Sequence, residues 1–129
     1  MTRLGALLMV LALSACVTAA PKQRIFKALP LEPEVWYELL YDGVQSCARK
    51  LGKASNIHYD DVEWYVIPHE AIPGIAGLYS RPNRIYLDEE YVLTEWVIAH
   101  ESGHAAIVAG DNRHEDPIFK VCTQVMARP

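Results

Sequence analysis

The sequence predicts an α+β domain in which a small antiparallel sheet packs with a long N-terminal helix, a histidine-containing helix and a short C-terminal helix. Three observations support this fold class. Apolar residues recur at helical spacing in residues 33–51, β-branched and aromatic residues concentrate in short runs between residues 62 and 88, and apolar periodicity returns after residue 88. The chain has 129 residues, which is enough for one small domain.

The first helix is predicted over residues 33–51. Pro33 suits the first helical position because the N–H that proline lacks would have no partner there. Gly52 suits the position just after the helix end. Six residues recur at helical spacing and are expected to face the core: Trp36, Leu39, Leu40, Val44, Cys47 and Leu51.

Three strands are predicted next. Residues 62–68 form a short β-rich run that ends at a proline. The segment GLYSRPNRIYLDEE then indicates two strands joined by a turn at residues 80–83, where Pro82 fixes the backbone φ angle of the turn. The second of these two strands, residues 84–87, is expected to offer its backbone edge to an extended peptide.

The two remaining helices follow the strands. Asp88 can cap a helix that is predicted over residues 89–109 and that ends before Gly110. A polar connection leads to Asp116 and Pro117, which suit the start of a last helix over residues 118–126. Cys122 is expected to lie on the inward face of this last helix.

The first sixteen residues, MTRLGALLMVLALSAC, are typical of an export signal. Arg3 precedes an apolar run, residues 4–13, that is short for a membrane-spanning helix. Small residues and Cys16 follow directly. This order of positive charge, apolar run and LSAC resembles the signal peptide and lipobox of bacterial lipoproteins.

The lipobox resemblance implies a signal peptide of residues 1–15, acylation of Cys16, a lipid-anchored tether of residues 16–30 and a domain of residues 31–129. Val17 stands where Asp would favour inner-membrane retention. The resemblance therefore implies a cell envelope lipoprotein held in the outer membrane and facing the periplasm. A secreted protein with a coincidental cysteine is the alternative.

Net charge and cysteine content indicate which binding partners and which covalent bonds to expect. The net charge is −4, and the domain stays acidic after loss of Arg3 with the signal peptide, so nucleic acid is not an expected partner. Cys47 and Cys122 remain once Cys16 is assigned to lipid. In an oxidising compartment an even pair of cysteines indicates a disulfide. Two buried free thiols are the alternative.

The segment AHESGHAA contains two histidines four residues apart, with a glutamate after the first. On a helix, His100 and His104 lie one turn apart and can direct two imidazoles to one zinc ion. Glu101 is then expected to accept a proton from a zinc-bound water as that water attacks a carbonyl. Gly103 is unfavourable inside a helix. Close packing of the backbone or a crowded metal site would explain it, and a glycine that the helix simply tolerates is the alternative.

A catalytic zinc site typically has three protein ligands and an open position for water. His114, in the polar connection before the last helix, is the favoured third ligand. Glu115, Asp111 and Asp116 are its rivals, although Asp116 is better explained as a helix cap. Two further histidines in loops are expected to have ordinary surface roles: His58 and His69.

The segments VIAHESGHAAI and RHEDPIFKVC together resemble the minimal zincin metallopeptidases, most closely the SprT-like group. The resemblance implies that His100, His104 and His114 are ligands, that Glu101 is the catalytic acid and base, and that Phe119 packs beneath the third ligand. The chain departs from the family pattern after His114, where a glycine is usual and the phenylalanine comes one residue earlier. No cysteine-rich zinc ribbon follows, so action on DNA-bound protein is not implied.

The sequence therefore predicts a zinc metallopeptidase that hydrolyses a peptide or protein substrate and is held at the membrane through Cys16. The alternative is a periplasmic lipoprotein that binds a metal or a partner without catalysis. Tyr79 or Tyr86 could stabilise the oxyanion, and the spacing of the residues selects neither one.

Overall fold

The protein is described by a computed structural model over residues 27–53, 57–107 and 114–126. Strand β1 (Leu29–Pro30) precedes helix α1 (Val35–Lys50). Strands β2 (Glu63–Ile67), β3 (Gly77–Ser80) and β4 (Arg84–Asp88) follow, and the chain ends with helices α2 (Glu95–Ala106), α3 (Ile118–Val121) and α4 (Thr123–Met126). The predicted α+β class is confirmed. Cys16 and Asp111 lie outside the described residues. In the part of the chain that the structure describes, no helix has the length and hydropathy of a membrane span.

The sheet is mixed, so the expectation of a wholly antiparallel sheet is wrong. The strand order is β1-β2-β4-β3, with β2 and β4 parallel and the two outer pairs antiparallel. The chain reverses twice between β2 and β4, which makes these two strands parallel and puts β3 at the outer edge. Leu29 and Pro30, predicted as the end of the tether, pair with β2 as strand β1. The backbone bonds of this two-residue strand bring residues 29 and 30 into the folded domain.

Helix α1 ends where the sequence predicts, and Leu40, Val44, Trp36 and Cys47 pack in or against the core as predicted. Gly52 has a φ of 77° and its N–H bonds to the Arg49 carbonyl, which completes a glycine-terminated helix end. Leu39 and Leu51, expected in the core, are 72% and 42% exposed. The residues that fill the core are aromatic or small as well as aliphatic: Tyr37, Leu40, Tyr41, Val44 and Ala48. The buried face is centred on Tyr37, Leu40, Tyr41 and Val44, on the side of the helix opposite Leu39.

Helix α2 is shorter than predicted and lies at the centre of the domain. Asp88 caps a single 3-10 turn, Glu89–Tyr91, and the helix itself starts at Glu95. Nine of its twelve residues are buried, because it packs against α1 on one side, β3 on another and the C-terminal helices on a third. A methyl group on Gly103 would lie 2.7 Å from the Thr123 side chain. The glycine therefore serves a close approach between α2 and α4.

A disulfide joins Cys47 of α1 to Cys122, between α3 and α4, with their Cα atoms 5.6 Å apart. The predicted pairing is confirmed. Asp116 caps the last helical segment, as predicted, by accepting a 3.1 Å hydrogen bond from the Ile118 N–H. Its other oxygen lies 3.0 Å from Lys53. The disulfide and the Lys53–Asp116 ion pair fix the C-terminal segment against α1 and the residues that follow it.

Candidate metal centre

The three predicted histidine ligands meet at one point, and we call them the histidine triad: His100, His104 and His114. The Nε2 atom of His114 lies 3.1 Å from that of His100 and 3.0 Å from that of His104. Helix α2 supplies two members one turn apart, and the segment that leads into α3 supplies the third. Within the described residues, these are the side chains that could hold a metal ion together.

The triad could hold a metal ion, and two of its nitrogen pairs can be compared with the spacing in a zinc site. Two nitrogens bound to one tetrahedral zinc at about 2.0–2.1 Å lie about 3.3–3.4 Å apart. The two nitrogen pairs measured here, at 3.1 and 3.0 Å, need only a small expansion to reach that separation. Three imidazoles with no carboxylate among them match a zinc donor set with one position left open.

Phe119 lies beneath the triad. Its ring centroid is 5.2 Å from that of His100, 4.8 Å from that of His104 and 5.0 Å from that of His114. One buried aromatic ring thus supports all three imidazoles, whereas the sequence resemblance implied support for the third ligand alone. Because Phe119 belongs to α3, the packing of α3 on α2 also sets the positions of the histidines.

Two rivals for the third ligand position, Glu115 and Asp116, lie within the described residues, and neither belongs to the group that could hold a metal. His114 itself has a φ of 59°, a left-handed conformation that is unfavourable for a residue with a side chain and that surrounding contacts must maintain. Glu115 is exposed and outside the metal-capable group. Asp116 is occupied as a helix cap and by Lys53. The geometry favours His114.

Glu101 is buried beside the triad, with 4% of its surface exposed. Its Oε2 atom has no hydrogen-bond partner among the described residues, and burial raises the pKa of its carboxyl to about 8. A methyl group on Gly77 would lie 3.0 Å from both Cγ and Oε1 of Glu101, so β3 can approach this carboxyl only because residue 77 is glycine. Burial, and then the neighbouring His114, lower the pKa of His100 to about 4.

A cleft of about 630 Å³ connects the triad with Glu101 and with the loop of residues 69–76. Tyr79 also lines this cleft, and its ring lies parallel to that of His104 at a centroid distance of 6.2 Å. Burial raises the pKa of the Tyr79 hydroxyl, which donates to the Pro82 carbonyl. Tyr86 is not among the lining residues and stacks on Tyr65. Of the two tyrosines considered from the sequence, Tyr79 is the one near the triad.

The strand expected to receive a peptide is an inner strand. β4 is paired on both sides, with β2 and β3, and so has no free edge. Along the cleft lies β3, whose Gly77, Leu78 and Tyr79 line it. Within the described residues β3 pairs only with β4, so its other edge has no strand partner. The prediction of strand 84–87 as the edge is wrong because β4 lies between two neighbours.

Sequence reasoning missed one participant in the cleft. His69 was expected to have an ordinary surface role, but its Nδ1 atom lies 3.0 Å from both carboxylate oxygens of buried Asp88, and both residues line the cleft. The other loop histidine, His58, precedes the 3-10 turn Tyr59–Asp61 and is exposed, as expected. No sequence spacing links His69 to Asp88, since their contact depends on the parallel pairing of β2 and β4.

No protein-family model, curated protein or solved structure matches this chain.

Proposed function

We propose that this protein is a zinc-dependent metallopeptidase. The observation that carries the proposal is the convergence of three imidazole nitrogens on a cleft that also contains the buried carboxyl group of Glu101, whose Oε2 atom has no hydrogen-bond partner among the described residues. A purely structural zinc site is closed by four protein ligands and has no use for such a carboxylate. An open position beside a proton acceptor is instead the arrangement that hydrolysis requires.

His100, His104 and His114 would hold the ion, and zinc when bound supplies Lewis-acid activation of water and of the peptide carbonyl. The positive charge of a bound zinc ion would oppose the burial that raises the pKa of Glu101. The ionised carboxylate of Glu101 would then accept the proton of the attacking water. It then donates this proton to the nitrogen of the leaving amine, so that the carboxylate is restored at the end of the reaction.

The proposed substrate is an extended peptide or an exposed segment of a protein. The edge of β3 that has no strand partner within the described residues can bind such a segment through backbone hydrogen bonds, which recognise extended peptides of any sequence. Since Gly77 lies against Glu101, a peptide paired with β3 would pass directly over the catalytic carboxyl.

The proposed location is the periplasmic face of the outer membrane, with Cys16 as the acylated anchor. Support for this comes from the lipobox-like LSAC segment. The Cys47–Cys122 disulfide agrees with an oxidising compartment.

The test is the substitution Glu101→Gln in the zinc-loaded domain. Glutamine keeps the size of the side chain but cannot accept the proton, so peptide hydrolysis should fall by about 10²–10⁴-fold while the zinc content stays at the level of the unmodified protein. Glu95→Gln is the matched control, because Glu95 is exposed on the same helix. It should leave both quantities unchanged.

Full activity of Glu101→Gln would refute the proposed mechanism. Stoichiometric zinc with no hydrolysis of any peptide by the unmodified protein would instead support the non-catalytic alternative, a periplasmic lipoprotein that binds metal or a partner.

A further inference from the structure

Asp88 contacts both ends of the loop of residues 69–76 and the 3-10 turn Glu89–Tyr91. Its carboxylate, only 2% exposed, accepts hydrogen bonds from the Glu70 N–H at 3.1 Å, the Glu90 N–H at 2.9 Å and His69 Nδ1 at 3.0 Å. Its backbone N–H donates to the Ala76 carbonyl at 3.0 Å. One buried residue thus holds both ends of the loop of residues 69–76.

This loop forms one wall of the cleft. Six of its residues line the cleft: His69, Glu70, Ile72, Gly74, Ile75 and Ala76. The loop contains two backbone positions in the left-handed region, Glu70 with a φ of 60° and Gly74 with a φ of 77°. The left-handed conformation is unfavourable for Glu70, so its hydrogen bond to Asp88 is needed to maintain it.

We propose that Asp88, together with His69, positions the substrate-facing wall of the cleft, so that the loop of residues 69–76 is held in the shape that receives a peptide beside Glu101. The proposal rests on the proposed peptidase function. Asp88 is a positioning residue in this role. It acts through the loop, and the loop continues directly into Gly77, which lies against the Glu101 side chain.

The charges around His69 make this contact dependent on pH. The hydrogen bond to Asp88 is the largest influence that raises the pKa of His69 above its ordinary value of 6.5, and the carboxylates of Glu90 and Glu70 add to it. The Nε2 atom of His69 lies 3.3 Å from Glu90 and 3.7 Å from Glu70, while its backbone N–H donates to Glu89. When His69 loses its second proton, Nε2 faces two carboxylates without a hydrogen to offer them.

Protonated His69 therefore tightens the loop, and this contribution is lost as the pH rises through the raised pKa of His69. Burial alone would raise the pKa of Asp88, but the hydrogen bonds from Glu90, His69 and Glu70 outweigh burial and lower it below its ordinary value of 3.8. Asp88 thus remains a carboxylate throughout the range in which His69 titrates.

The first experiment measures kcat and KM of the zinc-loaded protein on a peptide substrate, at pH values from below 6.5 to above the raised pKa of His69. Asp88→Asn replaces one acceptor oxygen by an amide that cannot accept, so KM should rise about tenfold while zinc content is unchanged. Asp42→Asn, the same chemical change at an exposed position of α1, is the control and should leave KM unchanged. An unaltered KM in Asp88→Asn would overturn the proposal.

His69→Asn separates titration from simple loss of a contact. Asparagine can donate to Asp88 as Nδ1 does but has no titratable group. Its KM should therefore be independent of pH over the interval in which KM of the unmodified protein rises. The same pH profile of KM in both proteins would contradict the assignment to His69. Because His69 is exposed, the substitution should leave the protein folded.

Hydrogen exchange of the zinc-loaded chain distinguishes failure of this inference from failure of the peptidase proposal. Amides of residues 69–76 should exchange faster in Asp88→Asn than in Asp42→Asn. If no peptide is hydrolysed at all, the peptidase proposal fails, and the exchange rates still decide whether Asp88 holds the loop. Equal rates in the two variants would show that it does not.

Discussion

Two clusters along the cleft contain histidine: the histidine triad, and His69 with the carboxylates of Asp88, Glu70 and Glu90. The same side chain has opposite surroundings in the two clusters. In the triad, His100 is next to two other imidazoles and the Phe119 ring, and burial followed by the neighbouring His114 lowers its pKa to about 4. At the other end, His69 is surrounded by carboxylates, chiefly Asp88, and its pKa is raised. Neighbouring groups decide which proton state each ring adopts near neutral pH.

This difference separates the two roles. A zinc ligand must be a neutral imidazole with a free nitrogen lone pair, which the burial of His100 favours at that ring. A cation that holds carboxylates must keep both ring protons, which the surroundings of His69 favour. The comparison shows why counting histidines in a sequence does not assign ligands: three of the five histidines meet to form a candidate metal site, and a fourth binds a carboxylate in the same cleft.

The largest expected effect separates the clusters by their zinc content. His104→Ala should reduce zinc from about one ion per chain to almost none, because two ligands cannot form a catalytic zinc site. His114→Ala should also weaken zinc binding and hydrolysis together. His69→Ala should keep its zinc. Metal analysis of the purified proteins after dialysis measures all three.

Two results would contradict this division. Retention of full zinc by His104→Ala would remove the triad as the metal site. Normal zinc in His114→Ala would move the third ligand to Glu115 or a nearby aspartate.

The second prediction concerns the disulfide, which supports only one of the two clusters. Cys122 lies beside α3, the helix that carries Phe119 under the triad. Replacing Cys47 and Cys122 by serine should lower the free energy of unfolding by about 4 kcal/mol, given a sequence separation of 75 residues. Zinc affinity should fall with it, whereas the exchange of amides in residues 69–76 should not change. Chemical denaturation and metal titration measure these effects.

Two alkylatable thiols in unfolded, non-reduced protein from the periplasm would show that the bond does not form there. Equal zinc affinity with and without the disulfide would show that the triad does not depend on it.

Much of the fold followed from local signals in the sequence. Gly52, Asp116 and the proline-containing turn marked element ends correctly because capping and turn chemistry are local. The strand order could not be predicted, since the parallel pairing of β2 with β4 depends on where the β3–β4 hairpin packs. The burial of Tyr37 and Tyr41 was also missed, because each hydroxyl bonds to a distant carbonyl, at Val92 and Ile57.

The site divides in the same way. His100, Glu101 and His104 follow from helix periodicity, and His114 was favoured from its place in the chain. The Asp88–His69 contact was invisible because the two residues lie 19 positions apart and meet only through tertiary structure. The need for glycine at position 103 depends on the packing of α4 against α2, which is tertiary structure and has no local signal in the sequence.

A smaller effect is expected from Gly103→Ala, which tests how tightly the triad end is packed. Alanine favours the helix by up to about 1 kcal/mol over glycine, but its methyl group would lie 2.7 Å from Thr123 and 3.2 Å from Phe119. Overpacking should exceed the gain in propensity, for a net loss of about 1–2 kcal/mol of unfolding free energy. Ser46→Ala, at an exposed position of α1, is the control and should be nearly neutral. An increase in stability of Gly103→Ala would show that α4 can move away at no cost.

The smallest expected effect is a shift in the pKa of the His69 ring, and it tests whether the carboxylates around His69 set its charge. Nitrogen-resolved NMR spectra of the zinc-loaded protein should show one histidine with a pKa above its ordinary value of 6.5, and the loss of its signal in His69→Asn should identify it as His69. In Asp88→Asn this pKa should fall, because the charged hydrogen-bond acceptor is gone. Since the pKa of His69 is higher in the folded protein than in the unfolded chain, its protonation stabilises the fold below pH 6.5, and that contribution disappears as the pH rises through the folded pKa. A His69 pKa at or below 6.5 in the unmodified protein would mean that the carboxylates around it do not set its charge, and the contrast between the two clusters would fail.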